Sequence, residues 1–129
     1  MSIASNIEFI REQMAQAAAV AGRKAEDIRL VGVTKTVDAA AAAEVLAAGV
    51  TDLGENRVQS FLDKYEVLGE RPTWHLIGHL QTNKVKYIVG KVSLIHSVDS
   101  VHLAEAISER AEKEGVVQDI LLPAHITGV

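Results

Sequence analysis

Ile3, Ile7, Ile10 and Met14 recur at steps of four, three and four, with Glu8, Arg11, Glu12 and Gln13 between them. That spacing places the apolar residues on one stripe of a helix, which the pattern predicts from the start of the chain to about Gly22. From Ile28 the period changes. Ile28-Arg29-Leu30-Val31-Gly32-Val33-Thr34 is a short β-branched run of the kind that forms a mostly buried strand. An alanine-rich helix follows over residues 38–48, closed by Gly49, the residue type that most readily ends a helix in a left-handed turn. Then the unit repeats. Residues 50–53 read as a strand; Val58, Phe61, Leu62, Tyr65 and Leu68 form a helical stripe; residues 74–77 are a strand, followed by a helix carrying Val85, Ile88 and Val89. Residues 92–98 make a fourth strand, residues 100–114 a helix closed by Gly115, and residues 118–126 a fifth strand.

Successive strands thus start about one strand, one helix and two short loops apart, the signature of a βα repeat. No Asn-Gly or Asp-Gly turn lies between them, so neighbouring strands are expected to be parallel and joined by right-handed crossovers. The fold class is α/β. Two architectures satisfy such a repeat, a doubly wound open sheet and a (β/α) barrel, and length alone favours the open sheet. The first βα turn, Thr34-Lys35-Thr36-Val37-Asp38, has none of the glycines of a dinucleotide-binding turn, and G-x-G-x-x-G occurs nowhere.

Composition narrows the picture further. At 129 residues the chain is expected to be a single domain over 1–129, and with 48% hydrophobic and 23% charged residues it lies far from the disordered corner. The formal net charge of −4 divides evenly between the two halves. Neither half offers the concentrated positive field needed for nucleic acid or an anionic membrane, so neither is expected as a partner. The absence of cysteine removes disulfides, Cys-ligated zinc, iron–sulfur clusters and a thiol nucleophile. No apolar run reaches a membrane span and the N-terminus lacks a signal-like pattern, so the expected location is the cytoplasm.

In either architecture ligands bind beyond the C-terminal ends of the strands. The loops there carry Thr34-Lys35-Thr36, Gly54-Glu55-Asn56-Arg57, Gly78 to Lys84, and His96-Ser97-Val98-Asp99-Ser100. Lys35 closes a buried run, and an amine at such a border can act as a nucleophile toward an aldehyde because desolvation disfavours the charged form. Position alone favours the simpler reading, a lysine reaching solvent from a loop. Asn56, three residues before Gln59, reads as a helix N-cap with its capping-box partner. His75 and His79 lie on a strand and its loop, which argues against a shared zinc site. Thr82, Asp99 and Ser100 read first as caps, with the free N–H groups after Thr82 and the nearby Lys84, Lys86 and Lys91 as a weak anion signal.

Taken in order, Val33-Thr34-Lys35-Thr36, Gly54-Glu55-Asn56, the stretch from Trp74 to Lys84 and Ile95-His96-Ser97-Val98-Asp99-Ser100 resemble the pyridoxal-phosphate homeostasis protein family. Its fold is similar to the N-terminal barrel of alanine racemase, so the resemblance implies a partial (β/α) TIM-type barrel. It also implies a binder of pyridoxal 5′-phosphate (PLP), without turnover, acting in intracellular supply of the cofactor. Lys35 looks like the lysine that holds PLP as a Schiff base, and Asn56, His79 and Ser97 occupy loops that face the cofactor in such a barrel. The alternatives are a racemase-like enzyme and an interaction module that no longer binds PLP. Tyr65 and Tyr87, on predicted helices, disfavour a two-base racemase. Family members are nearly twice as long, with the phosphate-holding loops in the part not matched, so self-association or a completing partner is expected, with PLP-dependent apoenzymes as recipients. Arg57 stands where an aromatic residue is common, and Pro123 and His125 also depart from the family pattern.

Overall fold

In a computed structural model, residues 2–122 are described. Helix α1 spans Ile3–Val20, and its start is fixed by a reciprocal pair in which the Ser5 amide donates to Ser2 Oγ and the Ser2 amide donates to Ser5 Oγ, both at 3.1 Å. The βα repeat then runs β1 (Val31–Val33), α2 (Ala39–Ala47), β2 (Asp52–Glu55), α3 (Val58–Leu68), β3 (Thr73–Leu76), a 3-10 helix (Thr82–Tyr87), β4 (Leu94–Ile95), α4 (Val101–Glu114) and β5 (Asp119–Ile120). All neighbouring strands pair parallel, in the order β1-β2-β3-β4-β5.

That order decides between the two architectures. A doubly wound sheet reverses its strand order at a switch point, whereas a barrel wall runs straight on with every crossover helix on one face. The chain follows the barrel rule, against the preference drawn from length. Gly32, Leu53, Glu55, Trp74, Leu76, Ile95 and Ile120 point to the helices, and Val31, Asp52, Gly54, His75, Leu94 and Asp119 alternate to the opposite, inner face. The core lies between sheet and helices. Phe61 meets Trp74 edge-on with ring centroids 5.2 Å apart, and the Trp74 indole N–H donates to the Gly69 carbonyl at 2.8 Å, so its one polar atom is satisfied.

Several expected elements are shorter or differently built. The fourth strand is two residues long rather than seven, and the last strand stops at Ile120; residues 123–126 of the expected strand, with Pro123 and His125, lie outside the described residues. The segment after β3 is a 3-10 helix, not an α-helix, and Gln81 rather than Thr82 precedes it, with no side-chain cap. Asn56 does not cap α3. Arg57 takes that position without a side-chain hydrogen bond, and Gln59 turns instead to Asp63 at 2.9 Å. Asp38 caps α2 through the Ala41 amide at 2.9 Å, and Ser100 caps α4 through the Leu103 amide at 3.1 Å.

Candidate site at the C-terminal ends of the strands

Because all five strands are parallel, their C-terminal ends share one rim. Hydrogen bonding continues into it: Thr34 N–H donates to Gly54 O at 3.0 Å, Ile77 to Glu55 at 2.8 Å, His96 to Leu76 at 2.9 Å and Leu121 to Ile95 at 2.8 Å. The loops bearing Lys35, Asn56, His79 and Ser97 therefore start from a braced edge. Lys35 sits in the turn between β1 and α2 and is exposed. The burial expected at this position falls on its neighbour Thr34 and on Lys64 of α3.

Beneath the rim lies a buried ion pair. Glu55, fully buried on the helix side of β2, accepts from Lys64 Nζ at 2.9 Å, while the same ammonium donates to the Thr34 carbonyl at 2.5 Å. The Thr34 hydroxyl donates to the other Glu55 oxygen. Both carboxylate oxygens and two of the three ammonium protons are thus engaged, as a buried pair requires. Its position explains Glu55 in the Gly-Glu-Asn run: the carboxylate ties the residue preceding Lys35 to β2 and α3. Sequence reasoning missed Lys64, because its position on the helical stripe beside Phe61 and Leu68 reads as a long surface side chain.

A glycine brings the next two loops together. A Cβ on Gly78 would lie 2.3 Å from the Asn56 carbonyl oxygen, so only glycine lets the segment carrying His79 pass this close to Asn56. His79 is exposed and its Nδ1 lies 3.6 Å from Asp99 Oδ2, linking the loops after β3 and β4. The Ser97 hydroxyl donates to Ile77 O at 2.7 Å. Its proton being committed there, Ser97 offers a ligand only acceptor lone pairs.

The inner face holds a second polar chain, unsuspected from sequence. Asp52 Oδ1 accepts from His75 Nε2 at 2.9 Å, His75 Nδ1 lies 2.9 Å from His96 Nε2, and Arg29 approaches Asp52 at 3.4 Å. Desolvation by burial, and then the neighbouring His75, hold the His96 pKa below the usual histidine value of 6.5. No spacing signal links this set, since its members are far apart in sequence: Asp52 and His75 occupy ordinary strand positions, and His96 follows β4 directly.

No family model matches the chain. Among curated proteins it is 43% identical to the pyridoxal phosphate homeostasis protein of Aquifex aeolicus over 129 residues, covering 99% of the chain and 57% of that protein. It is 36% identical to the protein of the same name from Pseudomonas aeruginosa, covering 98% of the chain and 56% of the relative. The structure of PipY from Synechococcus elongatus with PLP bound superposes with a TM-score of 0.83 at 34% identity, over 98% of this chain and 56% of PipY. A crystal structure of an unknown protein from Bifidobacterium adolescentis gives 0.86 at 36% identity, over 92% and 53%. The chain spans somewhat more than half the length of the curated relatives it matches. By sequence and by fold, the chain belongs to the pyridoxal phosphate homeostasis protein family.

Proposed function

We propose that the chain binds PLP at the C-terminal rim of the strands, with Lys35 as the attachment point and Asn56, His79 and Ser97 lining the site. The proposed role is holding and supplying the cofactor inside the cytoplasm, with PLP-dependent apoenzymes as recipients. The observation that carries this reading is the setting of Lys35. It is an exposed primary amine outside every ion pair among the described residues, on a turn anchored from below by the Thr34–Glu55–Lys64 cluster. PLP supplies an aldehyde that condenses with a primary amine, and an accessible, positioned lysine fits that end of the molecule. The likeness to PipY, solved with PLP bound, supports the same choice.

The remaining residues act around that amine. Asn56, held against Gly78, presents an amide able both to donate and to accept; His79 presents an imidazole at the opening; Ser97 presents acceptor lone pairs. Val33, at the end of β1, is 51% exposed and Leu121, just after β5, 47%, and we propose that self-association or a completing chain covers these apolar groups at the two edges of the sheet. In this reading residues 1–129 act as a single domain.

A spectrophotometric titration tests the binding claim. PLP added to the purified chain is expected to give a saturable visible absorbance band that Lys35→Ala abolishes and Lys35→Arg does not restore. A band of undiminished amplitude in Lys35→Ala would overturn the assignment.

A further inference from the structure

We propose that the cleft between the loop opening α3 and the 3-10 helix is a separate, non-covalent site for a small phosphomonoester carrying a flat organic group. The cleft encloses about 480 Å³, within the range of small-molecule pockets. Its walls include Arg57, Leu62, His79, Gln81, Lys84 and Tyr87, and contain no carboxylate. Arg57 and Lys84 are basic side chains, and among the described residues neither forms an ion pair. In a chain of net charge −4, two uncompensated cations facing one concavity form a local field opposite to that of the whole molecule.

The two charges match a phosphomonoester dianion, and a guanidinium can grip two of its oxygens at once. The organic part is read from the rest of the wall. Tyr87 presents a part-exposed ring, with the Lys84 and Lys86 ammonium groups 5.8 and 5.2 Å from its centroid, and Leu62 and Val58 complete an apolar strip. A flat group packed against Leu62, Val58 and Tyr87 would displace water from that strip, while its phosphate draws the Lys84 ammonium from the Tyr87 ring and meets Arg57. The floor is fixed, because Gly78 packs directly on the Asn56 carbonyl and so sets the distance between the two loops. Because α3 begins without a side-chain cap, its first amides are also open on this side.

The site does not depend on Lys35. Lys35 and Ser97 are absent from its walls, and only Asn56 and His79 lie on the border between the two. It also accounts for Arg57, Gln81 and Lys84, which the cofactor reading leaves without a role.

Amide chemical-shift titration of the 15N-labelled chain tests this, using phenyl phosphate, inorganic phosphate and phenol as probes. Phenyl phosphate is expected to give saturable shifts at Arg57, Gln81, Lys84 and Tyr87, inorganic phosphate weaker shifts at the same amides, and phenol no saturation. The Arg57→Gln/Lys84→Gln double variant is expected to weaken phenyl phosphate binding at least tenfold while its spectrum stays that of the folded chain. Lys35→Ala is expected to bind phenyl phosphate as the unaltered chain does. Absence of saturable shifts, or binding unchanged in the double variant, would overturn the proposal. So would shifts centred on Lys35 and lost in Lys35→Ala, which would assign the anion to the cofactor rim.

Discussion

Glu55 and Lys64 meet beneath the turn that carries Lys35, and the energetics of that meeting are asymmetric. Each charge lost water on burial and is compensated only by the other and by Thr34, so removing one partner strands the other. Lys64→Met is expected to cost about 3–5 kcal/mol in urea unfolding, and the Glu55→Gln/Lys64→Met double variant less than the sum of the single changes. Additive losses would show that the two charges do not depend on each other. His96 gives a second residue-scale prediction. Its folded pKa is depressed, so the unfolded chain takes up a proton first as pH falls below about 6.5, and stability is expected to decline from there until the folded His96 also titrates. Asp52, Arg29 and His75 face the same cluster, so the contribution is isolated by comparison: His96→Gln should flatten this part of the pH–stability curve. An unchanged slope in His96→Gln would remove His96 as its source. Of these residues the sequence made Lys35 and Glu55 visible by their place at strand ends, but not Lys64 or the Asp52–His75–His96 chain. Periodicity reports which face a residue is on, not which distant side chain it will meet there.

Elements were legible where a single stripe or cap decides them. The helices over residues 39–47, 58–68 and 101–114 match the apolar spacing, and Gly49 and Gly115 adopt φ of 96° and 67° as helix-ending glycines do. Ser100→Ala is expected to lower stability by about 1 kcal/mol through loss of the α4 cap, measured by thermal or urea unfolding. No loss would mean that water replaces the cap. Strand lengths were not legible, since an apolar run says that a segment is buried without saying where ladder pairing ends. The loop over residues 77–81 shows why its elements were harder still to read. Gly78 serves a tertiary contact with the Asn56 backbone, and that contact sets where α3 begins, leaving Asn56 outside the helix rather than at its cap. Gly78→Ala is therefore expected to destabilise by about 1–3 kcal/mol and to shift the amide resonances of both Asn56 and His79. A silent spectrum at Asn56 would contradict that coupling.

For the whole molecule, strand order carries the argument. Five parallel strands in sequence order, with their helices on one face, form a barrel wall whose inner surface is polar along Asp52, His75 and His96 and apolar at Val33 and Leu94. The repeat was readable from the hydrophobic pattern, but that pattern and the length did not choose the barrel wall over the open sheet; the resemblance of the loop motifs pointed to the barrel, and the pairing order bears it out. Unpaired outer edges of β1 and β5 among the described residues lead us to expect association in solution. Sedimentation equilibrium should then give a mass above the 13.9 kDa of one chain, and a monomer at all concentrations would contradict this. The measurement closest to the central claim is borohydride reduction of the chain saturated with PLP, followed by peptide mass mapping. One adduct per chain, on the peptide containing Lys35, is the expected result; adducts spread over exposed lysines such as Lys24, Lys86, Lys91 and Lys113, with none favoured at Lys35, would contradict it.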